Sequence, residues 1–269
     1  MTITLNHFPA GESGFFRAPV LLEGARQAIL VDGGFTLGDG RAIAAAIQAT
    51  GKQLTTIYVS QSDPDYYFSL RPIRDAFPDA RVIAGADTVA AITASVQKKL
   101  DAWSPKLGDN GPRTLSDVVV PSVANDRTLS LDDETIEIID ADGLSNRRFL
   151  WVPSLRAVIG GVLVFSGVHV WTADTQTAAQ RRAWISNLDA LAKRGPAIVI
   201  PGHLAEGAAC DASAIAYTRE YLIAFEQELA TASDSSALIA AMKRRYPQAK
   251  MGVALDIGAK VAKGEMKWG

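Results

Sequence analysis

Three short turns carry the side chains best suited to chemistry. Asp32, Gly33 and Gly34 close the apolar run Gln27–Val31. Gln61, Ser62, Asp63, Pro64, Asp65 and Tyr66 follow a second run at 54–59, and Pro201, Gly202 and His203 follow a third at 197–200. Polar residues just past the C-terminal ends of sheet strands gather on one edge, where open α/β sheets place their ligands. Asp32, Asp63, Asp65 and His203 are therefore candidates for a single site. Gln61, Asp63 and Asp65 are two apart, so extended backbone would aim all three to one side, with Pro64 interrupting that regularity.

Two chemistries fit these residue types. Asp63, Asp65 and His203 would give three protein ligands with one position open, as catalytic metal sites require. Gln61 would add a neutral oxygen and Tyr66 a phenol. So oxygen-rich a set suits Mn²⁺, Mg²⁺ or Fe²⁺ better than Zn²⁺ in a histidine cage. A metal there would acidify a bound water and supply the nucleophile. Without a metal, Asp63 or Asp65 would serve as general base and Tyr66 or His203 as acid, the neighbouring carboxylates raising one pKa. A structural role competes with both: Ser-Asp-Pro-Asp before an apolar run is also an Asx-turn and helix N-cap.

Outside these turns, His169 is expected to line the pocket with Trp171 and Asp174, or else to be a hydrogen-bonded loop histidine. Trp103 and the loop after it would cover the site. Arg147 and Arg148 either bind a substrate carboxylate or end a strand in solvent. His7 reads as structural, and Cys210 as an inert thiol.

The elements that must position these residues alternate. Strand-like runs lie at 2–7, 20–23, 27–31, 54–59 and 81–84, with helical patterns at 41–50, 66–77 and 88–103. Residues 104–121 read as a long Pro- and Gly-containing loop. A block of short strands follows at 127–131, 135–140, 148–152 and 157–159, then a helix at 177–194, the strand 197–200, and helices at 213–229, 235–245 and 252–262. Strands alternating with helices argue for an α/β layered fold, here two sheets face to face with helices outside. No linker divides the chain, so residues 1–269 read as one domain with a helical part from about 213 to 269.

Composition excludes several classes. Of 269 residues, 48% are hydrophobic and 21% charged, as in ordinary globular proteins. A net charge of −2 gives no electrostatic reason to bind nucleic acid or an anionic membrane. No run is long enough to span a bilayer. A single cysteine rules out an internal disulfide and a thiolate cluster, and three histidines limit any metal site. The start lacks a signal-peptide pattern, so a cytoplasmic location is expected, a mature secreted form being the alternative.

The order of motifs resembles the metallo-β-lactamase superfamily across nearly the whole chain. Asp32-Gly33 matches the family's Asp-Gly pair. Residues 61–66 stand where the family has H-x-H-x-D-H, and Gly202-His203 matches its late G-H. Residues 151–161 resemble its WIPS-type hairpin. The Asp63–Tyr67 turn (DPDYY) and residues 264–268 (GEMKW) resemble the Vmh-type metallo-hydrolases of that superfamily. The resemblance implies a four-layer αββα sandwich, one or two divalent metals such as Zn, Mn or Fe, and hydrolysis of a small ester, lactone or thioester.

The motif departs from the pattern it resembles. Gln61, Asp63 and Tyr66 replace the histidines, the mid-chain histidine falls near Gly143-Leu144, and Val162 replaces the bridging aspartate. Only Asp65 and His203 survive from the usual ligand set. The expected function is hydrolase-like on a small molecule. Asp65 and Tyr66 would be catalytic, Gln61, His169 and Trp171 would form the pocket, and Asp63, Asp65 and His203 would hold one weak divalent metal, or none. Homo-oligomerisation is open. The alternatives are a small-molecule-binding pseudoenzyme and a metal-independent acid–base enzyme.

Overall fold

A strand with consecutive apolar residues needs cover on both faces, and residues 28–31 of the run Gln27–Val31 get it. The computed structural model describes residues 3–268; the Thr2 end of the expected first strand lies outside them. The first sheet runs β1 (Thr4–His7), β2 (Val20–Glu23), β3 (Gln27–Val31), β4 (Gln53–Val59), β5 (Arg81–Ala84) and β6 (Ser122–Val123), in that spatial order. Its first two pairings are antiparallel and its last three parallel. The second sheet holds β7 (Thr128–Leu131), β8 (Glu134–Asp140), β9 (Arg148–Val152) and β10 (Ala157–Ile159), each antiparallel to the next. Two further short strands, β11 (Phe165–Ser166) and β13 (His203–Leu204), form a separate parallel ribbon, while β12 (Ile198–Ile200) extends the second sheet beside β10.

Among the described residues seven helices flank the sheets: α1 (Leu37–Thr50), α2 (Leu70–Ala76), α3 (Ala86–Leu107), α4 (Ala178–Lys193), α5 (Ala212–Thr231), α6 (Ser235–Arg245) and α7 (Gly252–Ala262). Side-chain alternation divides the core. Leu22, Ile29 and Val31 of the first sheet meet Leu131, Ile136, Leu150 and Val152 of the second. The opposite faces are covered by helices: Leu30, Ile57 and Val59 are buried with Ile43, Ile47 and Ile73, and Val158 and Val199 with Trp184 and Leu188. The result is the four-layer αββα sandwich.

Helix ends follow local chemistry. Thr36 and Asp39 form a capping box on α1, Thr177 and Gln180 another on α4, and Gly51 closes α1 in the left-handed region at φ 67°. The expected helix over 66–77 is shorter, beginning only at Leu70. Its first turn is diverted by tertiary hydrogen bonds. Gly33 N–H donates to the Tyr66 carbonyl (2.7 Å), Gly34 N–H to Ser69 Oγ (2.6 Å), and Ser69 N–H to the Gly34 carbonyl (3.1 Å). The same bonds lock the first chemical turn against the second. Helix α3 runs one turn further than expected, through Pro105, and shortens the predicted loop. Among the described residues no helix is long and apolar enough to cross a membrane.

Candidate active site

The three turns meet at one end of the two sheets, and a guanidinium lies between them. Arg17 precedes β2 and is 1% exposed. Its Nη2 lies 3.2 Å from Asp32 Oδ2, its Nε donates to the Asp65 carbonyl (3.3 Å) and stands 3.7 Å from Asp65 Oδ2, and its Nη1 donates to the Gly202 carbonyl. The guanidinium carbon sits 3.5 Å above the centre of the Tyr66 ring. A short antiparallel bridge between Arg17 and His203 carries the chain into this position. Gly202 has to be glycine here, since a Cβ would fall 1.9 Å from the Gly161 carbonyl.

Asp32 turns the chain out of β3 in the left-handed region, at φ 63°. That conformation aims its carboxylate at the next turn. Oδ1 accepts from Ser60 N–H (2.7 Å) and Oδ2 from Ser60 Oγ–H (2.8 Å). Burial raises its pKa, opposed by the Arg17 charge and the Ser60 bonds. Asp32 is thus an anchor for the guanidinium.

His203 is buried against Phe165, ring on ring, 4.9 Å apart. Its Nδ1–H donates to the Phe15 carbonyl (2.7 Å), with that tautomer assigned from the bond, since a carbonyl only accepts. Nε2 then carries a lone pair, 3.4 Å from Tyr66 Oη and 3.6 Å from Asp65 Oδ2. Burial, reinforced by Arg17, pushes its pKa down to about 3, so the ring is neutral at physiological pH.

Asp63 and Asp65 separate. Asp65 faces Arg17 and His203. Asp63 occupies the N-cap position of the Pro64–Tyr66 turn, but its side chain makes no capping bond. It is 26% exposed and stands 3.8 Å from Lys99 Nζ of α3. The capping role expected of Asp63 is therefore corrected: the side chain leaves the backbone for the cavity. Burial raises both carboxyls, Asp65 to about 6 despite Arg17, and Asp63 to about 7, with Asp174 adding to the rise and Lys99 opposing it.

The cavity above them holds about 640 Å³. Asp63, Asp65 and His203 line it, with Lys98 and Lys99 on α3. Phe15, Trp103, Trp171, Trp268, Met251 and Ile257 supply most of the apolar wall. Asp174 joins this lining.

Three expected site residues lie elsewhere. Gln61 does not line the cavity: its Oε1 accepts from Ser62 N–H and from Asn146 Nδ2–H (2.7 Å), tying the turn to Asn146. His169 is also away from it, its Nδ1 3.0 Å from Tyr221 Oη of α5, its pKa lowered by burial to about 4. Tyr66 is fully buried beneath Arg17, outside the cavity lining; burial raises its pKa well above the usual phenol value, and its hydroxyl meets His203 Nε2 at 3.4 Å. Gln61 was expected there from its two-residue spacing, and Tyr66 and His169 from their place in the resembled motif and hairpin; neither cue says which side chain the core absorbs.

The expected metal set is corrected too. Among the described residues no group of three or more His, Cys, Asp or Glu side chains is arranged to hold a metal ion. The donors do not fit one because their charges are already answered: Asp32 and Asp65 by the buried Arg17, Asp63 by Lys99. Val162, buried at the cavity wall, brings no donor where the resembled motif has its bridging aspartate, as expected from the sequence. Arg17 and Lys99 escaped sequence reasoning. Arg17 had one cue, a lone charge within the apolar run 15–22, since a buried charge must be paired.

Known proteins agree with this architecture. Solved structures with the same fold include a metallo-beta-lactamase from Pontibacter korlensis (18% identity, TM-score 0.58, covering 77% of this chain and 87% of that one). The DIM-1 metallo-beta-lactamase (16%, 0.56, 82% and 92%) and VMB-1 (15%, 0.56, 82% and 91%) are similar. No curated protein matches the sequence. Residues 14–203 match the metallo-beta-lactamase superfamily, and with the αββα sandwich and the ordered turns in place, the chain belongs to that superfamily.

Proposed function

We propose that this protein is a metal-independent acid–base hydrolase acting on a small, largely apolar ester, lactone or thioester. Superfamily membership supports the hydrolytic class. The observation that carries the reading is the Asp63–Lys99 pair in a cavity whose wall is mostly apolar. A carboxylate whose pKa lies near neutrality is suited to general-base work, and an ammonium beside it can meet developing negative charge.

In this mechanism the substrate carbonyl carbon lies above Asp63. Water donates a hydrogen bond to the carboxylate and loses that proton to it as its oxygen bonds to the carbonyl carbon. The carbonyl π pair moves onto oxygen, which the Lys99 ammonium stabilises. Collapse of the tetrahedral intermediate breaks the bond to the leaving alkoxide or thiolate, which takes the proton back from Asp63. Arg17 holds Asp32, Asp65 and the 201–203 turn in fixed relation, so the pocket floor is pre-formed.

The test is turnover of p-nitrophenyl esters, aryl lactones and aryl thioesters by the full chain after exhaustive chelation. Activity should survive chelation and fall at least about a hundredfold in Asp63→Asn, the lower end of a general-base contribution. Activity that vanishes on chelation and returns with stoichiometric metal would overturn the mechanism.

A further inference from the structure

The cavity has an aromatic wall as well as polar groups, and a single carboxylate, Asp174, organises that wall. Trp268, in the segment after α7, donates its indole N–H to Asp174 Oδ1 (2.7 Å). Trp171 donates its own indole N–H to the other oxygen, Oδ2 (3.1 Å). The two rings meet edge to face, 5.1 Å apart at 71°. The Trp268 carbonyl accepts from Gln176 Nε2 (2.9 Å), fixing the segment beside residues 171–176. Behind the clasp, Arg147 Nη2 is buried without a hydrogen-bond partner, 3.8 Å from Asp174 Oδ2, and backs the carboxylate with positive charge.

This arrangement has a chemical consequence. An indole has one hydrogen-bonding atom, and Asp174 occupies it in both rings. What Trp171 and Trp268 turn to the cavity is aromatic surface with no donor left. Met251, Val253 and Ile257 around α7 continue that wall without adding a polar atom at their side-chain ends other than the thioether. Helix α7 also docks closely on the clasp: a Cβ on Gly258 would fall 2.3 Å from Thr172 Oγ1. The wall is held against a packed helix, so its shape is set before a ligand arrives.

We propose that Trp171 and Trp268, clasped by Asp174, form a subsite for a flat, uncharged aromatic group of the substrate, and that Trp268 determines the preference for it. The assignment rests on the hydrolase reading for its link to turnover, but the subsite is defined by binding alone. Aromatic rings favour edge-to-face and offset contacts over contact with saturated rings of similar size. The substrate class is accordingly an aryl ester, aryl lactone or aryl thioester, with the reacting carbonyl toward Asp63 and the ring toward Trp268.

The test is calorimetric titration of the full chain with 2-naphthol and with its saturated counterpart, decahydro-2-naphthol. Wild type should bind the naphthol more tightly. Trp268→Ala should reduce that preference by roughly two- to tenfold, the span of an aromatic pair converted to affinity. Trp268→Phe, which keeps a ring and loses the clasp bond, should retain most of it, and guards against a folding defect in the alanine variant. An unchanged naphthol-to-decahydronaphthol ratio in Trp268→Ala overturns the assignment, as does wild type that binds neither compound at millimolar concentration. Naphthol preference in a protein that hydrolyses nothing would sink the catalytic mechanism and leave the subsite standing.

Discussion

Replacing Arg17 by methionine removes the charge and leaves a side chain of similar length in a site that is 1% exposed. Two carboxylates, Asp32 and Asp65, lose their cation, and the Asp65 and Gly202 carbonyls lose a donor. Breaking a buried ion pair from one side costs about 3–5 kcal/mol, because a charge stays buried without compensation. At this burial, solvent screening does not reduce the figure. It is a large fraction of the roughly 5–15 kcal/mol that holds a typical domain folded. Urea titration at constant slope would read it as a lower midpoint.

The pH dependence has a defined sign. Burial already raises Asp32 and Asp65, and Arg17 is among the groups holding them down, so the variant's carboxyls rise further. A group with a raised folded-state pKa contributes stability below its unfolded pKa and loses it as pH rises through the folded value. The deficit of Arg17→Met should therefore shrink at acid pH, where both carboxyls are neutral, and grow above the Asp65 value of about 6. Arg17→Lys keeps the charge but not the planar fork or the stack on Tyr66, and should recover only part of the loss. Zinc should not raise the melting temperature of wild type. A ligand present at a hundred times its Kd would add about 2.7 kcal/mol, a readily visible shift. A cost below about 1 kcal/mol, a deficit independent of pH, or zinc stabilisation of wild type would each refute the role given to this guanidinium.

The catalytic proposal predicts a kcat/KM that rises with pH through the Asp63 value of about 7, since only the ionised carboxylate accepts a proton, and that is lost below it; a pH–rate profile on a chelated sample checks this. Lys99→Met should lower kcat by about 10²–10³, as loss of an oxyanion donor does, with KM for an aryl ester changing far less in steady-state kinetics. Gly202→Ala should destabilise by about 3 kcal/mol, the upper end of overpacking, because its Cβ would press on the Gly161 carbonyl and on Arg17 Nη1; thermal denaturation of the purified variant measures it.

Much of the architecture was legible in the chain because it rests on local rules. Helices α6 and α7 and strands β9 and β10 fall where apolar spacing and turn residues put them. The two-residue strands β6, β11 and β13 gave no such signal, being too short for a period. The meeting of the three turns was also legible, since each follows a strand and the fold gathers strand ends.

Tertiary structure decided what those residues do. Arg17 lies 185 positions from Gly202 in sequence, and nothing in its own neighbourhood shows that its guanidinium closes on Asp32 and Asp65. Lys99 faces Asp63 from a helix whose rotation depends on how α3 packs. Trp268 reaches Asp174 across 94 residues. Spacing aimed Gln61 at the pocket and the resembled motif aimed Tyr66 and His169 there, yet Asn146, Arg17 and Tyr221 engage them elsewhere. Sequence determines strands, turns and charges through short-range sterics and the burial of apolar faces. Which charge neutralises which depends on the approach of distant segments, and here that approach paired Asp65, one of the expected ligands, with a buried arginine.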